Sequence, residues 1–561
     1  MKFSQMTYEH PDYDAAAAEL RGLSDVFNAA GTPEEAAKAY IQIDRAVEHF
    51  YTAMELVYLH HSLDTRDEFY AKEQDFFDGV MPEFEEINQE ITKALLASPF
   101  RSELEAEWGS VMFRNSEIAL KTFKPEIIAD LQEENRLTTE YNKLIASAQI
   151  EFDGKTLNLA QLAPYFQSTD REIRRAAYAA RSDWFLPQSE RLDGIFDELV
   201  KVRTEMARKL GYENYIELGY YNMTRNCYNA EDVAKLRAAV KKYVVPLSEA
   251  LKAEQAKRLG IERVTLYDDA LLFAEGNAKP QGSPDEIFAA GQKMYRELSP
   301  ETGEFIDFML ENELFDVLTR PGKSGGGYCT TIEDYKSPFI FANFNGTSDD
   351  IDVLTHEAGH AFAAYLARDI SPSNLRNPTY EAAEVHSMSM EFFTWPWMKL
   401  FFENPDKYRY QHLASALTFL PYGSMVDEFQ HIVYGNPRLT PKERNDAWKL
   451  LEAEYRPYLD YDLPFFGEGR RWQAQAHIYE RPFYYIDYVL AQTAALEFWA
   501  LNRSEHETAW DKYRKFVDKA GTRTFTELIA GAGLDSPFDE TALKTITETA
   551  YAWLRENSNF G

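Results

Sequence analysis

The sequence predicts a mainly α-helical fold with a small β-sheet. Over most of the chain, apolar residues recur at three- and four-residue intervals among charged residues, which is the period of an amphipathic helix. Residues 334–350 instead gather aromatic and β-branched residues between a proline and an Asn-Gly pair, as a strand that ends in a turn does. The chain has 561 residues, of which 45% are hydrophobic, so it is long enough to build a large core.

The helical pattern is clearest in three long stretches, and Gly- and Pro-rich segments between the patterned regions predict loops. The three stretches are residues 40–64, 126–152 and 172–211. We expect Pro187 to break or kink the last of them. Residues 155–168 are typical of a short strand-and-turn insert. Residues 274–286 and the glycine-rich residues 319–330 predict surface loops.

Charge and cysteine content exclude several classes of function. The formal net charge is −33, whereas a nucleic-acid-binding surface needs a basic footprint and an anionic membrane attracts basic proteins. Only two cysteines are present, Cys227 and Cys329, so the chain has no disulfide framework and fits a reducing compartment. The sequence has no apolar run of membrane-spanning length and no apolar signal segment at its start. We therefore expect a cytoplasmic protein that binds neither nucleic acid nor membranes.

Residues 353–367, VLTHEAGHAFAAYLA, place two histidines four residues apart with a glutamate directly after the first. On a helix, His356 and His360 share one face and both imidazoles can reach one metal ion. Glu357 lies about 100° around the helix from His356, where it can take a proton from an attacking water and deliver it to a leaving amine. Gly359 leaves room for a close backbone approach. The segment predicts a catalytic zinc site, and such a site needs a third protein ligand.

The third ligand is predicted on a second helix, because no third histidine follows at short spacing. Residues 378–395, PTYEAAEVHSMSMEFFTW, offer four candidates, which are Glu381, Glu384, Glu391 and His386. Glu384 and Glu391 are seven residues apart and share a face, separated by about 10 Å along the helix axis. Both cannot bind one ion, so one is a ligand and the other supports it. Spacing alone leaves the choice open.

A second cluster of polar residues lies towards the C-terminus. Residues 470–492 contain His477, followed by Tyr484, Tyr485 and Tyr488. Tyr485 and Tyr488 are one helical turn apart and share a face. Histidine and tyrosine side chains can donate hydrogen bonds to the oxyanion that forms when a peptide carbonyl is attacked. With 34 tyrosines in the chain, the same cluster is also compatible with aromatic packing in the core.

The string THEAGHAF, followed by EVHSMSMEFFTW, resembles the oligoendopeptidase F and thimet oligopeptidase family of zinc metallopeptidases. In that family the third ligand is the first glutamate of a Glu-x-x-Ser-x-x-x-Glu pattern about 25 residues after the second histidine. The resemblance implies that His356, His360 and Glu384 bind one Zn²⁺ per chain. It implies that Glu391 supports the ligands and that Glu357 is the general base and acid.

The resemblance also gives the C-terminal cluster a role. Family members carry a histidine and then tyrosines on a helix that faces the zinc across the cleft. His477 and Tyr488 match best, and Tyr485 is preferred to Tyr484 for the remaining tyrosine position. The resemblance thus implies that His477, Tyr488 and Tyr485 stabilise the oxyanion.

The family fold implies two helical halves that enclose a deep channel, with the zinc inside and the small sheet beside the HExxH helix. We expect an N-terminal helical domain over residues 1–164 and a zinc metallopeptidase domain over residues 165–561. Such enclosure would admit short unfolded peptides, and we expect cleavage of their internal bonds. The GGGYCT loop (residues 325–330) and the FIFANF segment (residues 339–344), an expected edge strand, would hold the substrate backbone.

Two alternatives remain from the sequence. A peptidyl-dipeptidase or carboxypeptidase on a related fold would need a cation to hold the terminal carboxylate of its substrate, and Arg470, Arg471 and Arg481 are candidates. A catalytically silent helical peptide-binding protein would have lost Glu357 or the third ligand, and the sequence retains both.

Overall fold

The structure is a computed structural model that describes residues 1–558, and it confirms a mainly helical fold with small sheets. Its α-helices are α1 (Tyr13–Asn28), α2 (Pro33–Leu63), α3 (Glu68–Ala97), α4 (Arg101–Trp108), α5 (Ser110–Ala119), α6 (Ile128–Ala146), α7 (Leu159–Leu162), α8 (Arg171–Leu210), α9 (Tyr215–Asn222), α10 (Ala230–Ala239), α11 (Val245–Leu259), α12 (Pro284–Leu298), α13 (Pro300–Glu311), α14 (Asp349–Ala367), α15 (Tyr380–Phe393), α16 (Pro405–Gly435), α17 (Pro441–Tyr455), α18 (Pro464–Gly467), α19 (Ala476–Glu480), α20 (Tyr485–Ser504), α21 (His506–Val517), α22 (Phe525–Ala532) and α23 (Glu540–Glu556). Its strands are β1 (Ile150–Phe152), β2 (Lys155–Leu157), β3 (Phe315–Leu318), β4 (Tyr328–Ile332) and β5 (Ser337–Phe344). Within residues 1–558, no helix combines the length and the apolar character needed to cross a bilayer.

The long helix α8 shows how local sequence sets the helix ends. Asp170 accepts a hydrogen bond from the backbone N–H of Glu172 and caps the first turn. The helix ends at Gly211, whose φ of 100° is left-handed and favours glycine. Of the two expected effects of Pro187, a break is wrong, because the 40 residues form one helix with Pro187 inside it, and a kink stays a prediction. Phe185 on one side of the proline is buried, and packing of this kind compensates for the hydrogen bond that proline cannot make.

The helices build two main hydrophobic cores, besides a small cluster of Ala256, Val264, Tyr458 and Leu459. A smaller core lies among the N-terminal helices α1–α5 and includes Leu20, Phe50 and Phe84. A much larger core joins the later helices with the sheet and includes residues from α8, α14, α15, α16 and α20. The boundary between residues 164 and 165 stays a prediction.

The sheet beside α14 has the strand order β3-β5-β4. β5 lies parallel to β3 and antiparallel to β4, so both of its edges are hydrogen-bonded. The expectation that FIFANF is an edge strand is therefore wrong, because β3 occupies its second edge. β4 is the outer strand on the other side, and no further strand of residues 1–558 pairs with its free edge.

Helix α2 of the smaller core lies along β4 and along the glycine-rich loop (residues 322–327). Thr65 donates its backbone N–H to the carbonyl of Gly322 at 2.7 Å, and Ser324 donates its N–H to the carbonyl of Ser62 at 2.8 Å. On the strand, the Thr330 hydroxyl donates to Glu55 Oε2 at 2.7 Å. These bonds attach the loop and β4 to the N-terminal helices.

The other side of the same loop is attached to the sheet by a buried lysine. Lys323 Nζ donates to Asp316 Oδ1 at 2.7 Å and to the carbonyl of Leu318 at 3.1 Å, both on β3. It also donates to the carbonyl of Ala342 on β5 and lies 4.4 Å from the centroid of the Phe341 ring. Burial lowers the pKa of this lysine to about 8, and its acceptors satisfy the ammonium in its charged form.

Candidate active site

A tight turn delivers the chain from the central strand β5 into helix α14. Gly346 has a φ of 85°, which glycine adopts readily. Asp350 in the first turn of α14 accepts the backbone N–H groups of Asn345 and Gly346, both at 2.8 Å. The Asn-Gly pair and this aspartate therefore fix the start of α14 against the sheet, and with it the positions of the histidines further along the helix.

The predicted ligand residues come together at one point. Nε2 of His356 and Nε2 of His360 each lie 3.3 Å from Glu384 Oε2, and the three donor atoms lie within 4.8 Å of one another. Three ligands at about 2.0–2.1 Å from a tetrahedral ion stand about 3.3–3.4 Å apart. The donor types and spacing therefore fit a Zn²⁺ ion. Glu384 is buried, whereas the side chains of His356 and His360 are 19% and 20% exposed towards the cleft.

A single glycine permits this convergence. A Cβ at Gly359 would stand 2.6 Å from Ser387 Cα and 2.7 Å from the carbonyl oxygen of His386 on α15. Real Cβ atoms do not approach backbone that closely, so only glycine allows α14 and α15 to be this close. The predicted close approach is thus one between two helices, and it brings His360 beside Glu384.

Glu384 is held by hydrogen bonds on both oxygens. The Ser387 hydroxyl donates to Glu384 Oε2 at 3.0 Å, and the Tyr484 hydroxyl donates to Glu384 Oε1. Burial raises the pKa of Glu384, but the imidazoles of His360 and His356 outweigh it and hold that pKa well below its usual range. Glu384 is therefore an anionic carboxylate in a fixed orientation, as a metal ligand has to be.

Glu391 lies behind His356 and connects it to a buried chain of donors. Glu391 Oε1 is 2.6 Å from His356 Nδ1, and Glu391 Oε2 is 2.6 Å from His412 Nε2. The indole of Trp395 donates to His412 Nδ1 at 3.0 Å. Because an indole N–H can only donate, His412 carries its proton on Nε2 and gives it to Glu391. Glu391 in turn accepts the Nδ1 proton of His356, so Nε2 is the nitrogen left to bind a metal ion once it has lost its own proton.

Sequence reasoning did not find His412 and Trp395. His412 lies on α16, 52 residues after His360, and no short spacing connects it to the HExxH string. Its only signal is spatial contact. His386, a candidate ligand on the sequence alone, is buried with its Nε2 unpartnered, and burial lowers its pKa to about 3. It lies outside the group of three converging donors.

Glu357 occupies the position that its place in the string predicts. It is buried, its Oε2 makes no hydrogen bond to any described residue, and burial raises its pKa. The glycine-rich loop passes close by, because a Cβ at Gly327 would stand 3.6 Å from Glu357 Oε1. An unpartnered buried carboxylate is costly unless a bound species satisfies it, so this oxygen marks the place of a ligand or water beside the three donors.

His477 faces this group from helix α19, and its proton can be placed. The Tyr422 hydroxyl donates to Gln475 Oε1 at 2.7 Å, which turns the amide nitrogen of Gln475 towards His477 Nδ1 at 3.0 Å. His477 Nδ1 is therefore an acceptor, and Nε2 carries the proton. Nε2 lies 3.4 Å from the Tyr488 hydroxyl. Burial lowers the pKa of His477 to about 4, so the ring is neutral.

The tyrosines divide differently from the expectation. Tyr484 contacts Glu384 directly, and its ring lies 5.1 Å from that of Tyr488, one helical turn later. Tyr485 lies on the other side of His477, with its ring 5.7 Å from Phe419 and 5.9 Å from Tyr422. Tyr484, and not the preferred Tyr485, is thus the ring that contacts the ligand group, and the role of either tyrosine towards an oxyanion stays a prediction. Residues four apart, such as Tyr484 and Tyr488, share a helix face just as residues three apart, such as Tyr485 and Tyr488, do.

An HExxH helix that meets a carboxylate from a second helix has the ligand set of a metallopeptidase site. Residues 165–279 and 302–548 match the family model described as Peptidase family M3, and residues 3–123 match that of the Peptidase M3 N-terminal domain. The chain belongs to peptidase family M3. The resemblance to oligoendopeptidase F seen in the sequence is confirmed.

Individual relatives agree with this assignment. The solved structure of PZ peptidase A with inhibitor 2 is 48% identical, covers 99% of both chains and superposes with a TM-score of 0.98. Oligoendopeptidase-F from Enterococcus faecium, 16% identical over 98% of this chain and 99% of its own, shares the fold with a TM-score of 0.63. Oligopeptidase PepF of Bacillus subtilis (strain 168) is 24% identical over 390 residues, which are 66% of this chain and 55% of that protein. The chain thus spans little more than half the length of that relative.

Gly359→Ala should disrupt the site through the contact between α14 and α15. The added methyl group would force the helices apart, and overpacking of this kind costs about 1–3 kcal/mol. Metal affinity should fall as well, because His360 would move away from Glu384. Denaturation curves and metal titration of the purified variant measure both effects.

Gly79→Ala is the matched control, because Gly79 lies inside helix α3 and a methyl group there would meet no neighbouring side chain or helix within 4 Å. Alanine at this position should raise stability by about 0.5–1 kcal/mol and leave metal affinity unchanged. If both alanine variants bound metal as well as the parent protein, the close helix contact would not be what aligns the site.

Proposed function

We propose that the protein is a zinc-dependent oligoendopeptidase that hydrolyses internal bonds of short, unfolded peptides. The observation that carries this proposal is the convergence of His356, His360 and Glu384 beside the buried, unpartnered carboxylate of Glu357. The first three residues would hold one Zn²⁺. When bound, the metal supplies a Lewis acid that polarises the scissile carbonyl and makes water a better nucleophile near neutral pH.

Glu357 is proposed as the proton carrier. Its Oε2 accepts a proton from the attacking water, since no other group of the described chain occupies that oxygen. Burial raises its pKa, which makes the carboxylate a stronger base and lets the protonated form pass the proton on to the leaving amine. One residue then serves as base and as acid in sequence.

His477 and Tyr488 are proposed as donors to the developing oxyanion. The neutral His477 presents its Nε2–H to the cleft, because Gln475 occupies Nδ1. Tyr488 adds a hydroxyl 3.4 Å from that nitrogen. A neutral donor suits this role, because it stabilises negative charge without pairing with Glu384 in the resting site. Tyr485, predicted for this role, is better placed to hold His477 and Gln475 from behind.

The free edge of β4 is proposed to hold the substrate backbone. Its outer N–H and C=O groups pair with no strand of residues 1–558. Its side chains alternate between α2, where the Thr330 hydroxyl donates to Glu55, and the metal site, where Cys329 lies near Glu357. An extended peptide added at this edge would lie beside α14. We also propose a cytoplasmic location, since Cys227 and Cys329 are both free thiols.

Glu357→Gln should lower the rate of peptide hydrolysis by at least about 100-fold, while zinc stays bound. The amide keeps the size of the side chain and removes the base, and the three ligand side chains are untouched. Peptide cleavage followed by mass spectrometry, with and without a chelator, measures activity, and metal analysis measures zinc. Unchanged turnover in this variant, or turnover that survives complete metal removal, would contradict the proposed function.

Glu384→Ala and Glu391→Ala should lose zinc to different extents. Removal of a ligand should leave little zinc bound, whereas loss of the acid behind His356 should weaken binding by about 10–100-fold. Metal stoichiometry and competition with a chelator distinguish the two variants. Equal zinc loss in both would remove the basis for choosing Glu384 as the ligand.

Tyr484→Phe should weaken zinc binding by about 10-fold, because Glu384 loses the hydroxyl that orients its Oε1. Tyr485→Phe is the matched control, with the same change one residue later and no contact to Glu384. It should leave zinc affinity unchanged. A larger loss of zinc affinity in Tyr485→Phe than in Tyr484→Phe would favour Tyr485 as the tyrosine that supports the ligand group.

A further inference from the structure

Of the three arginines that the sequence offers as carboxylate anchors, two are already engaged elsewhere. Arg470 donates to Glu468 Oε2 at 2.8 Å and lies 3.7 Å from Asp193 Oδ2. The guanidinium of Arg471 stacks 4.6 Å from the centroid of the Tyr422 ring, and its Nη1 is buried. Arg470 is thus paired with carboxylates, whereas Arg471 has no carboxylate partner but is stacked on Tyr422.

Arg481 is placed differently. Its backbone N–H donates to the carbonyl of His477 at 3.0 Å, so it lies one helical turn beyond the proposed oxyanion donor. Its side chain is exposed, and its guanidinium donates to the Tyr380 hydroxyl at 3.3 Å. The Tyr380 ring lies 5.1 Å from the ring of Tyr484, which bonds Glu384. Three contacts thus connect the guanidinium to the metal-ligand group.

The wall opposite Arg481 is formed by helix α2. Tyr58 is 42% exposed, yet desolvation raises its pKa to about 12, with Glu480 and Arg481 as charged neighbours. Arg481 therefore lies between α2 and the tyrosines of the site.

The charge of Arg481 has no close partner. Among residues 1–558, no carboxylate lies within ion-pair distance of its guanidinium, whereas the buried Arg225 is paired with Asp487 at 2.9 Å. Glu55 and Glu480 act on Arg481 only at longer range. Burial raises the pKa of Glu55 to about 7, so this acid is partly neutral at physiological pH. In a chain of net charge −33, an unpaired cation beside the active centre is a specific feature.

We propose that Arg481, together with the Tyr380 hydroxyl, binds a carboxylate of the peptide substrate beside the cleavage site. A guanidinium presents parallel N–H donors that match a carboxylate. The Tyr380 oxygen accepts from Arg481, which leaves its own proton free to donate to the same anion. The carboxylate is either the C-terminal one or that of an acidic side chain. This proposal rests on the proposed peptidase function and adds a substrate preference to it.

The test uses matched peptides and measures binding and turnover separately. One pair has a free or an amidated C-terminus, and a second, amidated pair has Glu or Gln at each position flanking the cleaved bond. KM and kcat are measured on the zinc-loaded enzyme and on Arg481→Met. Dissociation constants are measured on the same proteins carrying Glu357→Gln, so that binding is seen without hydrolysis.

We expect the parent enzyme to favour the acidic member of at least one pair by about 10-fold or more in KM, with similar kcat. Arg481→Met should remove that preference and leave the neutral peptides unaffected, and Arg481→Lys should retain part of it. Preference in the first pair identifies the C-terminus as the bound group, and preference in the second identifies an acidic side chain. Arg470→Met, the matched control, should behave like the parent.

Two results would overturn the proposal. One is a parent enzyme that cleaves both members of both pairs equally well. The other concerns an Arg481→Met variant with normal zinc content and normal thermal unfolding. The proposal fails if this variant retains the preference, or if its affinity for acidic and for neutral peptides falls equally. A failure of the proposed function gives a different result, because no peptide would then be cleaved by the parent enzyme.

Discussion

The active centre depends on one contact between two helices, the one in which the backbone of α14 at Gly359 lies against the backbone of α15 at Ser387. Without it, the two histidines and Glu384 would be presented by separate helices at ordinary packing distance, about 8–10 Å between axes. With it, both imidazole nitrogens lie 3.3 Å from Glu384 Oε2, and all three donor atoms lie within 4.8 Å of one another. The turn from β5, the chain of donors behind Glu391 and the hydroxyl of Tyr484 refine an arrangement that this contact makes available.

Buried polar groups of the site are satisfied in a directional order. Trp395 donates to His412, and Glu391 accepts from both His412 and His356, whereas Tyr422 donates to Gln475 and Gln475 donates to His477. The donors Trp395 and Tyr422 thus fix which nitrogen of His412 and of His477 carries the proton. His356 gives its Nδ1 proton to Glu391 and keeps Nε2 for a metal ion, whereas His477 presents an N–H towards the same space. The two sides of the cleft thus receive opposite hydrogen-bonding character from the same type of side chain.

The sequence predicted the parts of this site that depend on spacing along one helix. His356, Glu357 and His360 follow from the period of α14, and Glu384 followed once the resemblance chose between two acids on one face. His412, Gln475 and Tyr422 could not be predicted, because their contacts join segments that are distant in the chain. Tyr484 was named but placed second to Tyr485, for a different reason. Phe483 before it adopts a φ of 68°, where non-glycine residues are rare, and the backbone direction at that point is set by tertiary contacts with Arg225 and Gln430.

The glycine-rich loop shares its hydrogen bonds between two bodies of the protein. Thr65 and Ser62 at the end of α2 bond its backbone, whereas Lys323 anchors it to β3 and β5. The same loop ends at Gly327, beside Glu357. A separation of the N-terminal helices from the sheet would have to break these bonds or drag the loop along. A change in the distance between the two cores would therefore move Gly327 and alter the access of solvent to Glu357 beside it.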